Sequence, residues 1–136
     1  MREGSVMGTL ARLLTFVLVA CIAAIVVMGV QDHREHISNR IVTGGNARRG
    51  KQLIVEKNCG SCHTIPGIYG AQGVVGPPLF FFSRRTFIAG ELPNTPDNLV
   101  RWIRFPQSVN PNTAMPTLGL SEDQARDVVA YLYTLR

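Results

Sequence analysis

The chain has 136 residues, of which 46% are apolar, and its formal net charge is +5. This length allows one small domain with an appendage, and three cysteines are too few for a scaffold held by disulfides. The net charge fits either a nucleic-acid binder or a protein that docks on acidic partners. Apolar residues are concentrated in 10–30, so the remainder has the composition of an ordinary soluble domain.

The N-terminal apolar run predicts a membrane anchor. Residues 13–30 carry no charge, and as a helix they would span about 27 Å, close to the hydrocarbon thickness of a bilayer. We therefore expect residues 1–12 to be a short cytoplasmic N-terminus and 13–30 to be one uncleaved transmembrane helix. Two alternatives stay open. The first is a lipoprotein signal, which Leu18-Val19-Ala20-Cys21 resembles. The second is a cleaved signal peptide, although its apolar run would be shorter than this one.

Residues 31–46 are polar, end in two glycines and have no helical or alternating apolar pattern. This composition predicts a flexible tether. His33 and His36 lie within it, and a metal site would need further ligands nearby. We interpret the two histidines as solvated side chains close to the membrane.

Local signals predict three short helices in the remaining chain. The first covers 47–58. The second begins with Thr95 as N-cap and Pro96 at the first helical position, and it ends before Pro106. A capping box at 121–124 opens the third, whose apolar residues recur at helical spacing. No convincing β alternation is present, and loops rich in glycine and proline separate the helices, so the predicted fold class is all-α.

The most informative motif is Cys59-Gly60-Ser61-Cys62-His63, which has the C-x-x-C-H pattern of covalent haem c attachment. Two thiols on one tight turn can add to the two haem vinyl groups, and the adjacent histidine can reach the iron. A structural zinc site would need a second ligand pair, and a thioredoxin-like motif would need a βαβ context. A plain disulfide would leave His63 unexplained. The motif therefore predicts one covalent haem c with His63 as an iron ligand.

Met115 is the candidate for the sixth iron ligand. Met1 and Met7 precede the apolar run and Met28 lies inside it, so elimination leaves Met115 in the soluble part. Prolines frame its loop, 111–116, which cannot be a regular helix or a central strand. A histidine of the tether could serve only if the tether folded over the haem. The remaining alternative is that Met115 fills the core.

These features together resemble class I cytochromes c over residues 46–136. The shared signature is a helix, C-x-x-C-H, Gly76-Pro77-Pro78-Leu79, a helix with an aromatic residue, a methionine framed by prolines and a terminal helix. Residues 92–135 look like the haem c domain fused to subunit II of bacterial haem–copper oxidases of the caa3 type, and like small anchored cytochromes encoded with them. The implied fold has three to five short helices around one covalent haem, in a domain over 47–136. A buried haem would add core mass to a domain that is marginally small by itself.

The resemblance implies further site residues. Pro77 would accept a hydrogen bond from the His63 ring through its carbonyl, which orients the imidazole. Trp102 would line the haem. Arg85 and Thr113 match positions that bond the haem propionates.

Two further positions concern packing. Gly50 and Tyr131 match the crossing of the first and last helices, where a small residue admits an aromatic ring. The family commonly has glycine at the position of Phe81, within Phe80-Phe81-Phe82, so the local turn is expected to differ here. Three neighbouring aromatic side chains cannot all face the haem, and we expect at least one to be exposed.

The predicted function is electron transfer. Ligation by His63 and Met115 would saturate the iron, so we expect neither an enzyme nor a small-molecule substrate. Methionine ligation favours the ferrous state. The expected donor is a protein such as a quinol–cytochrome c reductase, and the expected acceptor is a terminal haem–copper oxidase. Basic side chains, among them Arg84, Arg101 and Arg104, are candidates for docking on an acidic surface.

Because haem c is attached outside the cytoplasm, the haem domain is expected on the periplasmic side of a bacterial inner membrane. That location, and the absence of any supporting motif, exclude nucleic-acid binding. Two alternatives to a free carrier remain open. The chain could be a fixed subunit of an oxidase or dehydrogenase complex, or a gas or redox sensor with a displaceable Met115.

Overall fold

The computed structural model describes residues 3–41 and 44–136, and the side chains of 8–36 and 44–136. Residues 1–2 of the predicted N-terminal segment and 42–43 of the predicted tether lie outside the described residues. The chain divides into two compact units, one ending at Arg34 and the other beginning at Glu35.

The first element is a long helix, α1 (Glu3–Ile41). Its segment Gly8–His36 has a mean hydropathy of 2.9 in its most apolar window, and none of that window is buried. Large apolar side chains such as Leu14, Phe16 and Met28 are about 70% exposed. This helix is long and apolar enough to cross a membrane.

Residues 31–41 continue α1, whereas the sequence predicted a flexible tether from residue 31. The polar residues after the apolar run include neither glycine nor proline up to Ile41. Extending a helix costs far less than starting one, so a polar segment without helix breakers can remain helical. Within the predicted tether, residues 44–46 are not helical.

The second unit contains four further helices and a small hairpin. The helices are α2 (Ala47–Glu56), α3 (Pro96–Arg104), α4 (Pro106–Val109) and α5 (Glu122–Leu132). Single 3-10 turns occur at Cys59–Ser61 and Phe82–Arg84. The hairpin pairs β1 (Phe87–Ile88) with β2 (Leu92–Pro93) in antiparallel register, Ile88 opposite Leu92. This is the mostly helical architecture that the sequence predicted.

The predicted helix signals act where the sequence places them. The Thr95 side chain accepts from the Asn98 amide, with Pro96 beginning α3. Ser121 and Gln124 form a complete capping box at the start of α5. Two elements were not predicted: the single turn α4, inside the expected loop 106–120, and the hairpin, whose two-residue strands are too short for alternation to be visible.

Helices α2 and α5 cross in direct backbone contact. A Cβ placed on Gly50 would lie 1.9 Å from the Asp127 carbonyl oxygen and 2.9 Å from the Val128 nitrogen. Glycine is thus needed at this crossing because the α5 backbone occupies the space, and the expected contact of Gly50 with the Tyr131 ring stays a prediction. The Tyr131 hydroxyl donates to the Pro66 carbonyl at 2.7 Å.

Asp127 joins the same two helices from the α5 side. Its side chain is buried, and its Oδ1 accepts from the Asn46 amide at 2.7 Å. The Arg49 guanidinium contacts Oδ2 at 2.9 Å. A buried carboxylate requires such partners, and together they fix the start of α2 on α5. The apolar core beneath them includes Ile54, Leu99 and Val129, all fully buried.

Candidate functional site

One cavity of about 760 Å³ occupies the centre of the second unit. Its wall contains side chains of α2, α3 and α5 and of the loops between them. All the predicted site residues line it: Cys59, Cys62, His63, Pro77, Arg85, Trp102, Thr113 and Met115. The structure therefore brings together residues that are separated by up to 56 positions in the sequence, as the span from Cys59 to Met115 illustrates.

The C-x-x-C-H segment forms a single tight turn. The amides of Cys62 and His63 both donate to the Cys59 carbonyl, at 3.3 and 3.0 Å. Both cysteines are free thiols on the cavity wall. Burial raises the pKa of the Cys59 thiol, which keeps it protonated at neutral pH.

The His63 ring is oriented by one hydrogen bond. Its Nδ1 lies 2.8 Å from the Pro77 carbonyl oxygen. A carbonyl can only accept, so Nδ1 carries the proton and Nε2 keeps its lone pair. This tautomer leaves the imidazole able to bind a metal through Nε2.

Glycines allow the following loop to pack against the turn. A Cβ on Gly76 would lie 2.3 Å from Cε1 of the His63 ring, and one on Gly73 would lie 2.4 Å from the Ser61 carbonyl oxygen. The Gly76 amide also donates to the Cys62 carbonyl at 2.8 Å. Gly76 and Gly73 thus close the loop over the imidazole and the cysteine turn, and any side chain there would displace His63 or the turn.

The loop that carries Met115 is fixed by side chains. Thr113 Oγ1 accepts from the Met115 amide at 3.2 Å. Gln107 Nε2 donates to the Met115 carbonyl at 2.7 Å. Met115 itself is half-buried and packs against the apolar core. The thioether is therefore presented to the cavity from a backbone that is held on both sides.

Trp102 and Arg85 occupy different parts of the cavity wall. Trp102 is half-buried and packs against the core from α3. The Arg85 guanidinium donates to the carbonyls of Pro78 and Phe80 and lies 5.3 Å from the centre of the Phe82 ring. Both hydrogen bonds use Nη2, one of the three nitrogens of the guanidinium.

The three neighbouring phenylalanines separate into buried and exposed groups. Phe82 is 5% exposed and lines the cavity, whereas Phe80 and Phe81 are 47% and 57% exposed. Phe81 has φ of +52°, in the left-handed region that favours glycine. The sequence predicted that this turn would differ from that of the family. Its backbone at residue 81 nevertheless has a conformation suited to glycine, although the residue there is phenylalanine.

The family model for cytochrome c matches residues 47–136. The chain belongs to the cytochrome c family. The matched region coincides with the helical unit that surrounds the cavity, and α1 precedes it.

Individual relatives of this cytochrome include oxidase subunits. "Cytochrome c oxidase subunit 2" of Alkalihalophilus pseudofirmus is 37% identical over 91 residues, which cover 66% of this chain and 26% of the relative. The protein of the same name from Bacillus sp. (strain PS3) is 36% identical over 100 residues, which cover 71% of this chain and 28% of the relative. The chain thus spans about a quarter of the length of these oxidase subunits.

A second kind of relative is a small cytochrome. "Cytochrome c2" of Rhodopila globiformis is 33% identical over 103 residues, which cover 68% of this chain and 95% of the relative. The helical unit of this chain is therefore similar both to part of a larger oxidase subunit and to a small protein almost in its entirety. Both similarities are consistent with electron transfer.

Membership of the cytochrome c family implies a covalent haem c with one iron, and Cys59 and Cys62 lie in the region that binds it. The cavity fits this group on two observations. Its volume is in the range of cofactor sites. Its wall supplies two free thiols, an imidazole with an available Nε2 and a thioether, a donor set suited to covalent haem c.

Sequence reasoning missed three contributors to the site. Gly73 packs against the cysteine turn, Gln107 holds the Met115 carbonyl, and Asp127 fixes α2, which supplies part of the cavity wall. Clustered glycines after C-x-x-C-H were a usable signal for close backbone packing. Nothing local marks Gln107 or Asp127, because their partners are distant in sequence or lie across a loop.

Proposed function

We propose that this cytochrome is a membrane-anchored electron carrier that delivers single electrons to a terminal haem–copper oxidase. The observation that carries the proposal is the composition of the cavity wall. Of the described residues that line it, His63 is the one imidazole and Met115 the one thioether. Together they would hold a haem iron through two protein ligands and leave no ligand position for a substrate.

Each site residue has a task in this proposal. The Cys59 and Cys62 thiols would add across the two haem vinyl groups, with each S–H proton going to carbon. His63 would bind iron through Nε2 while Pro77 holds Nδ1–H. Met115 would bind from its fixed loop. Haem c supplies a one-electron iron couple, and a methionine ligand raises its reduction potential.

Trp102, Arg85 and Thr113 would contact the haem periphery. Trp102 would offer an apolar indole surface to the haem. The Arg85 guanidinium has Nε and Nη1 donors beyond its bonds to the Pro78 and Phe80 carbonyls, and these would suit a haem propionate. Thr113 would donate its hydroxyl proton to a propionate while its oxygen accepts from the Met115 amide.

Several observations support the proposed partner and location. The relatives include proteins named cytochrome c oxidase subunit 2. The domain from residue 41 onward has ten basic and six acidic residues, a net charge of +4, which favours docking on an acidic surface. Residues 13–30 would anchor the chain with residues 1–12 in the cytoplasm. The haem domain would face the periplasm and receive electrons from a donor such as a quinol–cytochrome c reductase.

A second candidate is a fixed cytochrome subunit of an oxidase complex. It is favoured by the similarity to oxidase subunits of which this chain covers about a quarter. Purification from native membranes in mild detergent separates the two candidates. A carrier is expected to dissociate from the oxidase during purification, whereas a stable stoichiometric complex would support the fixed subunit.

The axial ligand is tested by Met115→Ala in the full-length holoprotein. We expect loss of the low-spin ferric spectrum and rapid binding of added imidazole, because the variant lacks the sixth ligand. Val55→Ala, which truncates an exposed apolar side chain of α2 that does not line the cavity, is the matched control and should keep the parent spectrum. An unchanged ferric spectrum in Met115→Ala would refute methionine ligation.

A further inference from the structure

The backbone of Met115 is held at both of its polar groups, and by two different side chains. Thr113 Oγ1 accepts from its amide at 3.2 Å, and Gln107 Nε2 donates to its carbonyl at 2.7 Å. The Thr113 contact is local, two residues away. The Gln107 contact comes from a different element, the turn α4, and therefore ties the loop to the rest of the domain.

The Gln107 amide is itself fixed at its other end. Its Oε1 accepts from the Thr117 hydroxyl at 2.9 Å. One planar group thus contacts the residue that is the candidate ligand and a residue two positions after it. Because Gln107 uses both a donor and the acceptor, rotation of the amide about its last torsion would break both hydrogen bonds.

The turn α4, which carries Gln107, is fixed to the core by its first residue. Pro106, the first residue of α4, is among the residues whose side chains are fully buried. The loop itself has few other supports. Pro111 and Pro116 have no N–H to donate, and Thr113 makes the one loop backbone bond between 111 and 117 that the structure describes, to Asn110. Side chains therefore replace the missing backbone hydrogen bonds.

We propose that Gln107 is a positioning residue that holds the Met115 thioether in place for the iron and slows its departure. This inference rests on the proposed role of Met115 as ligand. When departure of the thioether displaces the Met115 backbone, Gln107 loses its hydrogen bond to the Met115 carbonyl, and this loss opposes the departure. The contact is made at the exposed surface, so its net contribution is that of one ordinary hydrogen bond.

The test is the binding of imidazole to the ferric full-length holoprotein in detergent. As imidazole concentration increases, the observed rate should reach a plateau, which equals the rate at which Met115 leaves its position. We expect Gln107→Leu, which removes both hydrogen bonds, to raise this plateau about three- to tenfold. Gln52→Leu removes an exposed glutamine side chain from α2, away from the loop, and is the matched control.

A second variant distinguishes positioning from general support of the loop. Gln107→Glu keeps an acceptor for Thr117 and loses the donor to the Met115 carbonyl. We expect its plateau to rise as in Gln107→Leu, at temperatures where thermal unfolding shows every variant to be folded. A plateau in Gln107→Glu equal to that of the parent would overturn the proposal, as would an unchanged plateau in Gln107→Leu.

Met115→Ala separates this proposal from the assignment of the ligand. If Met115 is the ligand, this variant binds imidazole without a plateau. An unchanged plateau in Met115→Ala would contradict the proposed ligand. A plateau lost in Met115→Ala but unchanged in the Gln107 variants would contradict only the role of Gln107.

Discussion

Phe81 illustrates how one residue can occupy a position better suited to another. Its φ of +52° places a side chain where the left-handed backbone crowds Cβ, and 57% of its surface is exposed. The turn persists because its neighbours are fixed. Asn94 Nδ2 donates to the carbonyls of Phe82 and Arg85, both at 3.0 Å, and the Ser83 amide donates to the Leu135 carbonyl at 3.1 Å.

Phe81→Gly is therefore expected to raise the free energy of unfolding. Relief of the left-handed conformation contributes about 1–2 kcal/mol, and the greater freedom of glycine in the unfolded chain offsets about 0.5–1 kcal/mol of it. We expect a net gain of about 0.5–1 kcal/mol. Chemical denaturation of the holoprotein measures it. Phe80→Gly, whose φ is not positive, should be destabilising, and equal losses in both variants would contradict the argument.

At the scale of elements, the sequence predicts those that local chemistry determines. The N-cap at Thr95 and the capping box at Ser121 act within one helical turn, so both helix starts were readable. The helical continuation over 31–41 and the turn α4 were not readable, because neither has an apolar pattern that identifies it. The hairpin depends on Ala89 and Gly90, both at positive φ, and its strands are too short to show alternation.

The same division applies to the site. The C-x-x-C-H turn is contiguous, and Met115 is the one methionine of residues 31–136, so residue chemistry alone selected them as candidates. Pro77, Trp102, Arg85 and Thr113 came from resemblance. Contacts such as Gln107 with Met115 depend on where the chain returns, which no local pattern determines.

Tyr131 connects α5 to the loop after the cysteine turn, and its ionisation makes this connection pH-dependent. The hydroxyl donates to the Pro66 carbonyl at 2.7 Å, and burial raises the pKa of Tyr131 to about 12. The unfolded chain releases this proton near pH 10. Since the folded-state pKa is higher, the stabilisation is complete below about pH 10 and is lost as pH rises toward 12.

We expect the free energy of unfolding of the parent to decrease by about 1–2 kcal/mol between pH 10 and 12 through this group, after allowance for partial solvent access. Tyr131→Phe should lack that component and be less stable by about 1 kcal/mol at pH 8, where the hydrogen bond is intact in the parent. Denaturation at several pH values measures both. Tyr69→Phe, at a fully exposed position, is the control. A difference between the parent and Tyr131→Phe that stays constant from pH 8 to 12 would contradict the assignment.

For the whole molecule, the main feature is that one chain contains two compact units, an apolar helix and a folded unit. Among the side chains that the structure describes, the buried apolar ones lie between Ala47 and Tyr133, whereas those of the apolar part of α1 are exposed. The described apolar core thus consists of residues of the folded unit. The high overall hydropathy therefore comes from the apolar helix, whereas the folded unit has the composition of an ordinary globular domain.

This division of the chain predicts the effect of removing the proposed anchor. A chain with residues 1–43 replaced by a cleavable export signal should be recovered in the soluble fraction, with covalent haem and the absorption spectrum of the parent.

In the proposed function, an anchored carrier meets its partner within a thin layer at the membrane surface, which raises its effective concentration. Without the anchor, oxidation of the reduced protein by oxidase-containing membranes should become slower and proportional to its bulk concentration. The rate of oxidation should also decrease with added salt, because a domain of net charge +4 docks partly by electrostatic attraction. Full-length protein in the same membranes is the control, and its oxidation should depend little on dilution. If instead the soluble form loses haem or its spectrum changes, then α1 contributes to the haem site, and the independence of the two segments is refuted.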